Sequence, residues 1–430
     1  MRYLRHRNAL FASWVALLIA GAASAGAAAR GAAIPIDSMD QIEQWSVSRI
    51  KETPTVKLAL CEDREGRPAA ALAVKADAGR LSALAMRRLQ PEESWNRYDG
   101  LSFWVKGDGS ENWANIRLQA RNGQQVWFAS FPLRQTEWHE VRLAWGDFVP
   151  VTTRSDELGT AKGVRPAEID RVGFGKDWNF NIFHKSPEIS FCLDDLALVR
   201  GVKSSRRRVP IRKLPPLSSV VRKLEAGQPV TILALGDSIT WGTSAGGNEN
   251  AYPAALASLL RERYPKAEIT LINRAIGGST TSKGRMWLMR DVYGIEADLI
   301  TVMMGYNERP APDADVAAVT DRYLANLVRY VEEVAGVMKK RPACVLLAPT
   351  PGRQANWMAL DAYAQGVRDL GKRHRNVTVA DANASMKQLG QEAYAKLMAD
   401  EAHPNPEGQK VMAEILFRTI TGQTQAPARH

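Results

Sequence analysis

The sequence predicts two folded domains of different class: an all-β sandwich, then an α/β domain whose parallel sheet carries helices on both faces. Three observations point there. Residues 34–200 hold short runs rich in Val, Ile, Phe and Trp, separated by turn residues. Residues 201–220 turn basic, Ser-rich and Pro-rich, a composition that marks a boundary between domains. From 221 to 424, apolar strand-like runs alternate with amphipathic helical ones, the pattern of a parallel sheet covered by helices. A chain of 430 residues, 45% hydrophobic and 24% charged, is long for one core and ordinary for two soluble domains.

The chain begins with a basic start, "MRYLRHRN", an apolar run, "ALFASWVALLIAGAA", and then Ala23-Ser24-Ala25, a small-residue cleavage pattern before Gly26. Residues 1–25 therefore read as an export signal, which places the mature protein in the periplasm or outside the cell. The apolar core is short for a membrane span, and no other run of about 20 apolar residues occurs, so no transmembrane span is expected once the signal is removed. Retention as an uncleaved anchor stays open.

In the sandwich region, "LSFWVKG", "ANIRLQARNGQQVWFASF", "WHEVRLAW" and "SFCLDDLALV" read as strands, with Asn122-Gly123 as a hairpin turn. In the second domain "VTILALGD", "EITLINRA", "DLITVMMG", "CVLLAPT" and "VTVAD" read as strands. Helices alternate with them, the longest being "DVAAVTDRYLANLVRYVEEVAGV", and "EGQKVMAEILFRTI" closes the domain.

The net charge of +11 invites a nucleic-acid partner, but its location argues against one. Three of the charges (Arg2, Arg5, Arg7) leave with the signal and six sit in "KSSRRRVPIRK" at 203–213, which leaves +2 for everything else. No nucleic acid is expected. The basic segment reads as a solvated tether. Of three cysteines, Cys61 and Cys192 can pair if the first and last strands of the sandwich are neighbours, and Cys344 in "ACVLLAP" reads as a buried free thiol. No Cys/His cluster has zinc-ligand spacing, so no metal is expected in the chemistry.

In a parallel α/β sheet, function sits on loops that leave the carboxyl ends of strands. Here each such loop holds something reactive: Ser238 in "GDSITWG", Gly277 and Gly278 in "NRAIGGS", Asn307 in "GYNE", and Asp400 with His403 in "DEAHPNP". Singly, each is an ordinary turn or helix entry; Asn405 and Pro406, for instance, suit a helix cap and first position. Together they supply the parts of acyl transfer. Ser238 is a nucleophile, His403 the only plausible base by elimination among six histidines, and Asp400, better than Glu401, orients that base from three residues away. The N–H groups of Ser238 and Gly278, with the Asn307 amide, would form an oxyanion hole.

With these four blocks in this order, the region from about 228 to 422 resembles the SGNH (GDSL-type) hydrolase family. The resemblance implies a flavodoxin-like sheet and ester hydrolysis without a metal or organic cofactor. Ala275 stands where a glycine is common and Glu308 where an aspartate is common. The front domain resembles the carbohydrate-binding jelly-roll modules of secreted glycan-active enzymes in "YDGLSFWVKGDGS", "WHEVRLAWGDF", "EIDRVGFG" and "FCLDDLALV". That likeness implies a structural calcium to which Asp194 or Asp195 contributes. Eight tryptophans (Trp45, Trp95, Trp104, Trp113, Trp127, Trp138, Trp145, Trp178) fall in this domain; most are expected in the core, with one to three exposed for sugar stacking.

The resulting expectation is an exported serine esterase that removes O-acetyl groups from a polysaccharide or oligosaccharide, with Trp241, Tyr306 and Trp357 as substrate-binding side chains. The same machinery would serve a lipid or thioester acyl hydrolase, or an acyl transferase. A glycan-binding protein without turnover is the reading from a different class.

Overall fold

In a computed structural model the described residues are 33–49, 56–78, 83–150, 163–176 and 187–422; the expected signal and Trp178 lie outside them. The described front-domain strands are β1 (Ile34–Asp37), β2 (Trp45–Arg49), β3 (Val56–Cys61), β4 (Ala71–Ala76), β5 (Ala83–Arg88), β6 (Gly100–Lys106), β7 (Trp113–Ala120), β8 (Gln125–Pro132), β9 (His139–Ala144), β10 (Val149–Pro150), β11 (Ile169–Lys176) and β12 (Ile189–Val199). They form two antiparallel sheets, ordered β3-β4-β12-β6-β9 with β1 beside β12, and β10-β8-β7-β11-β5-β2. Phe103, Phe131, Phe174 and Phe191 meet edge to face between the sheets at centroid distances of 5.1 to 5.6 Å for their closest pairs. The β7–β8 turn places Asn122 and Gly123 at φ 57° and 87°, a left-handed conformation that these two residue types tolerate.

None of the seven described tryptophans is exposed: Trp45, Trp95 and Trp127 are buried and the other four half-buried. The Arg64 guanidinium lies 4.8 Å over the Trp104 ring, and Trp145 donates Nε1–H to the Tyr98 carbonyl at 2.7 Å. Cys61 and Cys192 are joined in a disulfide, but their strands are not neighbours; β4 runs between β3 and β12. Cys344 is a buried free thiol whose pKa burial pushes up.

The segment 201–220 is no solvated tether. Ser204 Oγ and the Ser205 N–H donate to Asp147 of the front domain at 2.7 and 2.8 Å. Arg206, only 6% exposed in its side chain, pairs with Glu333 at 2.8 Å, and Ile211 and Leu214 join the core of the second domain. The arginines that look like a solvated run have acids far along the chain to meet.

The second domain holds β13 (Val230–Gly236), β14 (Ile269–Asn273), β15 (Leu299–Met303), β16 (Ala343–Leu347) and β17 (Val377–Ala380), all parallel in the order β14-β13-β15-β16-β17. That 2-1-3-4-5 order is flavodoxin-like, with a switch point at the first strand. Its described helices are α1 (Ser218–Glu225), α2 (Ser238–Trp241), α3 (Tyr252–Arg263), α4 (Thr281–Met286), α5 (Leu288–Val292), α6 (Val316–Val337), α7 (Asp361–Arg373), α8 (Ala382–Lys387), α9 (Gln391–Ala395) and α10 (Pro406–Thr421). Strand alternation sorts the core: Leu233, Ile300 and Leu346 face α6 and α7, while Ile232, Leu299 and Val345 face α3 and α10. Each such fully buried side chain contributes about 1.5–3 kcal/mol. Among the described residues no helix is long and apolar enough to cross a membrane.

Candidate active site

The apolar strand β13 ends at Gly236, where a Cβ would collide with Thr240 Oγ1 and the Met303 carbonyl. Only glycine lets the chain turn there at once into α2, and the turn carries Asp237 and Ser238. The helix cap is Asp237, not the serine: its Oδ1 accepts the Ile239 N–H at 3.0 Å. Ser238 is thereby left with its hydroxyl free of structural duty, 5% exposed, at the carboxyl edge of the sheet. Burial pushes the Asp237 carboxyl up to about 6.

His403 comes from the loop between α9 and α10. Asn405 Oδ1 caps α10 by accepting the Gly408 N–H at 3.0 Å, and Pro406 takes the first helical position. Inside this loop Asp400 Oδ1 accepts the N–H groups of Ala402 and His403, each at 2.7 Å, and Oδ2 lies 2.8 Å from His403 Nδ1. Nε2 faces Ser238 Oγ at 2.8 Å. Since a carboxylate only accepts, Nδ1 carries the proton and Nε2 is the acceptor for the Ser238 O–H. Burial works against the charge of Asp400, but the bonds from Ala402 and His403 outweigh it and hold the carboxyl below its ordinary range.

The oxyanion candidates converge on the same edge. Gly278, at φ 71°, adopts a left-handed turn with open space where a Cβ would stand. The N–H groups of Ser238 and Gly278 meet no acceptor among the described residues. Asn307 follows β15, with Nδ2 at 3.0 Å from the Ser279 carbonyl and 3.4 Å from Asp237 Oδ2. The structure thus joins Ser238, His403 and Asp400 by hydrogen bonds and directs Asn307 to Asp237 and Ser279, the chain neighbours of Ser238 and Gly278.

The three aromatic candidates stand differently. Trp241 ends α2, half-buried, three residues from Ser238. Tyr306 binds loops to one another: its hydroxyl donates to the Glu401 carbonyl at 3.3 Å and accepts from Asn356 at 3.1 Å. Trp357 packs edge-on against Tyr394 at 5.1 Å, under the Lys387 ammonium. In the front domain, Asp194 and Asp195 face Arg64, with Asp195 at 2.6 Å, and among the described residues no group of three or more His, Cys, Asp or Glu forms a metal cluster. A groove of about 670 Å³ bounded by Asp361, Gln365, Arg368 and Lys387 contains none of these residues, so reactive groups rather than cavity size locate the site.

The supporting roles of two residues escaped sequence reasoning. Glu308 is fully buried, and its two oxygens accept the N–H and hydroxyl of Thr281 at 2.8 and 2.7 Å; burial pushes its carboxyl up to about 7. It thereby ties the "GYNE" loop to the helix that follows the glycine turn. Gln409 spans from Ile239 O, 3.0 Å, to the Tyr252 N–H, 2.8 Å, locking α10 to the nucleophile turn. A glutamine on the buried stripe that includes Met412, Ala413 and Leu416 was the signal for it.

A flavodoxin-like sheet with hydrogen-bonded Ser, His and Asp side chains at its carboxyl edge defines an acyl hydrolase architecture. Residues 234–411 of the second domain match the GDSL-like Lipase/Acylhydrolase family. The front domain matches Complex I intermediate-associated protein 30 (CIA30) over 67–190. An acetylxylan esterase of Geobacillus stearothermophilus is 25% identical over 215 residues, 46% of this chain and 96% of that protein. The crystal structure of Axe2, an acetylxylan esterase from the same organism, is 24% identical, with a TM-score of 0.37, over 46% of this chain and 97% of that one. A two-domain esterase (CEX) active on acetylated mannans is 22% identical with a TM-score of 0.39; the match covers 53% of this chain and spans 57% of the length of that esterase.

Proposed function

We propose that this carboxylic ester hydrolase is an exported serine esterase that removes O-acetyl groups from a polysaccharide or oligosaccharide. The observation that carries the mechanism is the row Asp400 Oδ2, His403 Nδ1, His403 Nε2, Ser238 Oγ, with 2.8 Å at each of its two hydrogen bonds. Ser238 Oγ attacks the acetyl carbonyl while Nε2 takes its proton. The oxyanion forms against the N–H groups of Ser238 and Gly278 and the Asn307 amide. Collapse breaks the ester bond, and the departing sugar oxygen takes the proton from Nε2. Water, deprotonated by Nε2, then attacks the acyl-serine and releases acetate.

The acetyl-glycan part of the reading is supported by the likeness to an acetylxylan esterase. Export is supported by the disulfide, which belongs to an oxidising compartment. The test is acetate release from acetylated xylan, mannan and pectin by the full chain and by Ser238→Ala. Wild type is expected to release acetate and Ser238→Ala none above background; equal rates would remove Ser238 from the mechanism. Preference for long-chain acyl esters, or recovery of an acetylated acceptor instead of acetate, would replace the substrate or the reaction named above.

A further inference from the structure

We propose that the front domain is a positioning element of the esterase site, acting through Phe128 and Val149 on the glycine turn that ends at Gly278. The claim rests on the hydrolase reading above for its catalytic consequence, though not for its structural content.

Strand β8 is apolar on both faces. Trp127, Ala129 and Phe131 point into the sandwich, while Val126 and Phe128, with Val149 of the neighbouring β10, pack on Met286, Trp287 and Ile276 of the second domain. Phe128 and Val149 are 2% and 0% exposed, so this face is covered by the domain contact itself. Ser130, the next residue on that face, approaches the Met286 carbonyl with its hydroxyl at 3.5 Å.

The side chains it meets sit at both ends of one short path. Ile276 lies two residues before Gly278; Met286 ends α4, the helix that leaves the same turn. The start of α4 is gripped by Glu308 through Thr281, and Glu308 follows Asn307 directly. Its far end is gripped from outside: Arg206 of the interdomain segment donates to the Arg285 carbonyl, and Met286 is pressed on Phe128. In the middle, Gly284 lies against the Tyr330 ring, where a Cβ would come within 3.0 Å.

A helix of six residues has no stability of its own, because nucleation costs more than so few hydrogen bonds return. Its position is set by what holds it, and one of its holders is the other domain. Oxyanion donors act only when placed to within about 0.5 Å, and a displacement of about 1 Å costs on the order of 10²-fold in rate. Loosening the Phe128 contact therefore moves the Gly278 donor without touching Ser238, His403 or Asp400. Phe128 and Val149 are positioning residues.

The experiment uses the full chain with Phe128→Ala, Phe128→Leu and Val149→Ala, reading amide hydrogen exchange together with kcat and KM on 4-nitrophenyl acetate. Phe128→Ala is expected to speed exchange at 276–286 while leaving 230–241 protected, and to lower kcat about 10-fold with KM little changed. Phe128→Leu, which keeps an apolar side chain at the contact, is expected to restore both. Val149→Ala gives the smaller effect in the same direction and decides the matter if Phe128→Ala does not fold. Unchanged exchange at 276–286, or loss of protection spread evenly over both domains, overturns the proposal. A wild type inactive on acetyl esters would defeat the hydrolase reading alone, because the exchange pattern still answers whether the front domain holds the turn.

Discussion

Asp400 binds His403 twice, receiving the backbone N–H of the histidine at 2.7 Å and its ring Nδ1 at 2.8 Å, so one carboxylate shapes the loop and sets the tautomer. Asp400→Asn separates the two tasks. The amide oxygen can still accept from Ala402 and His403, preserving the loop, but the NH₂ group then faces Nδ1 and favours the proton on Nε2, where it blocks transfer from Ser238. We expect kcat to fall by about 10²- to 10⁴-fold with an unchanged melting temperature, measured by acetate release and thermal denaturation of the same preparation.

Asn307 is placed by its neighbours rather than by burial. It is exposed, yet its Nδ2 is directed between the Ser279 carbonyl and Asp237 Oδ2. Asn307→Ala removes one oxyanion donor, and the expected result is a loss of about 10²- to 10³-fold in kcat with KM changed little. A variant that loses KM instead would make Asn307 a substrate-binding residue.

The residues of the site were legible because Ser238, Gly278 and Asn307 sit in short local patterns that follow β13, β14 and β15, and because Asp400 and His403 are close in sequence, although two helices separate their loop from β17. Strand alternation likewise exposed both sheets of the sandwich and the parallel sheet. What was not legible is pairing at long range. The basic run at 203–213 has the composition of a solvated tether, and nothing local says that Arg206 and Arg208 meet Glu333 and Glu332 more than a hundred residues later. Phe128 shows the same limit. The run "QVWFASF" announces a strand apolar on both faces, but only the fold shows that its outer face meets Met286 and Trp287. Glu308 drew notice as a departure from a common aspartate, while its reach to Thr281 required the geometry.

Glu308 gives the protein a pH signature. Burial raises its folded-state pKa from 4.5 to about 7, against the opposing bonds from Thr281. A carboxyl raised on folding binds extra protons in the native state, so its contribution is full below about pH 4.5 and is lost as pH rises through about 7. The shift corresponds to on the order of 3 kcal/mol. Glu308→Gln keeps the Thr281 N–H acceptor but does not titrate. Between pH 4.5 and 8, urea unfolding of the wild type should lose stability relative to Glu308→Gln by roughly that amount. Parallel pH profiles would show that folding leaves the pKa of Glu308 unshifted.

Glu333 carries the opposite signature and lies at the joint between the domains. Burial opposes its charge, but Arg206 and Arg285 face the one carboxylate at 2.8 and 2.9 Å and hold it down to about 2. Burial lowers Arg285 to about 10, which leaves it cationic at neutral pH. Glu333→Gln leaves two buried guanidinium groups without a counter-charge, their side chains 6% and 4% exposed. Removing one partner of a buried ion pair costs about 3–5 kcal/mol, and that is the expected loss in urea unfolding at pH 7. A carboxyl depressed on folding contributes above its unfolded pKa and loses that contribution as pH falls, so the gap between wild type and Glu333→Gln should narrow from pH 4.5 toward pH 2. Because Arg206 also donates to the Arg285 carbonyl at the end of α4, the same variant should speed amide exchange at 281–286. A loss of global stability without that local change would separate the ion cluster from the control of the glycine turn.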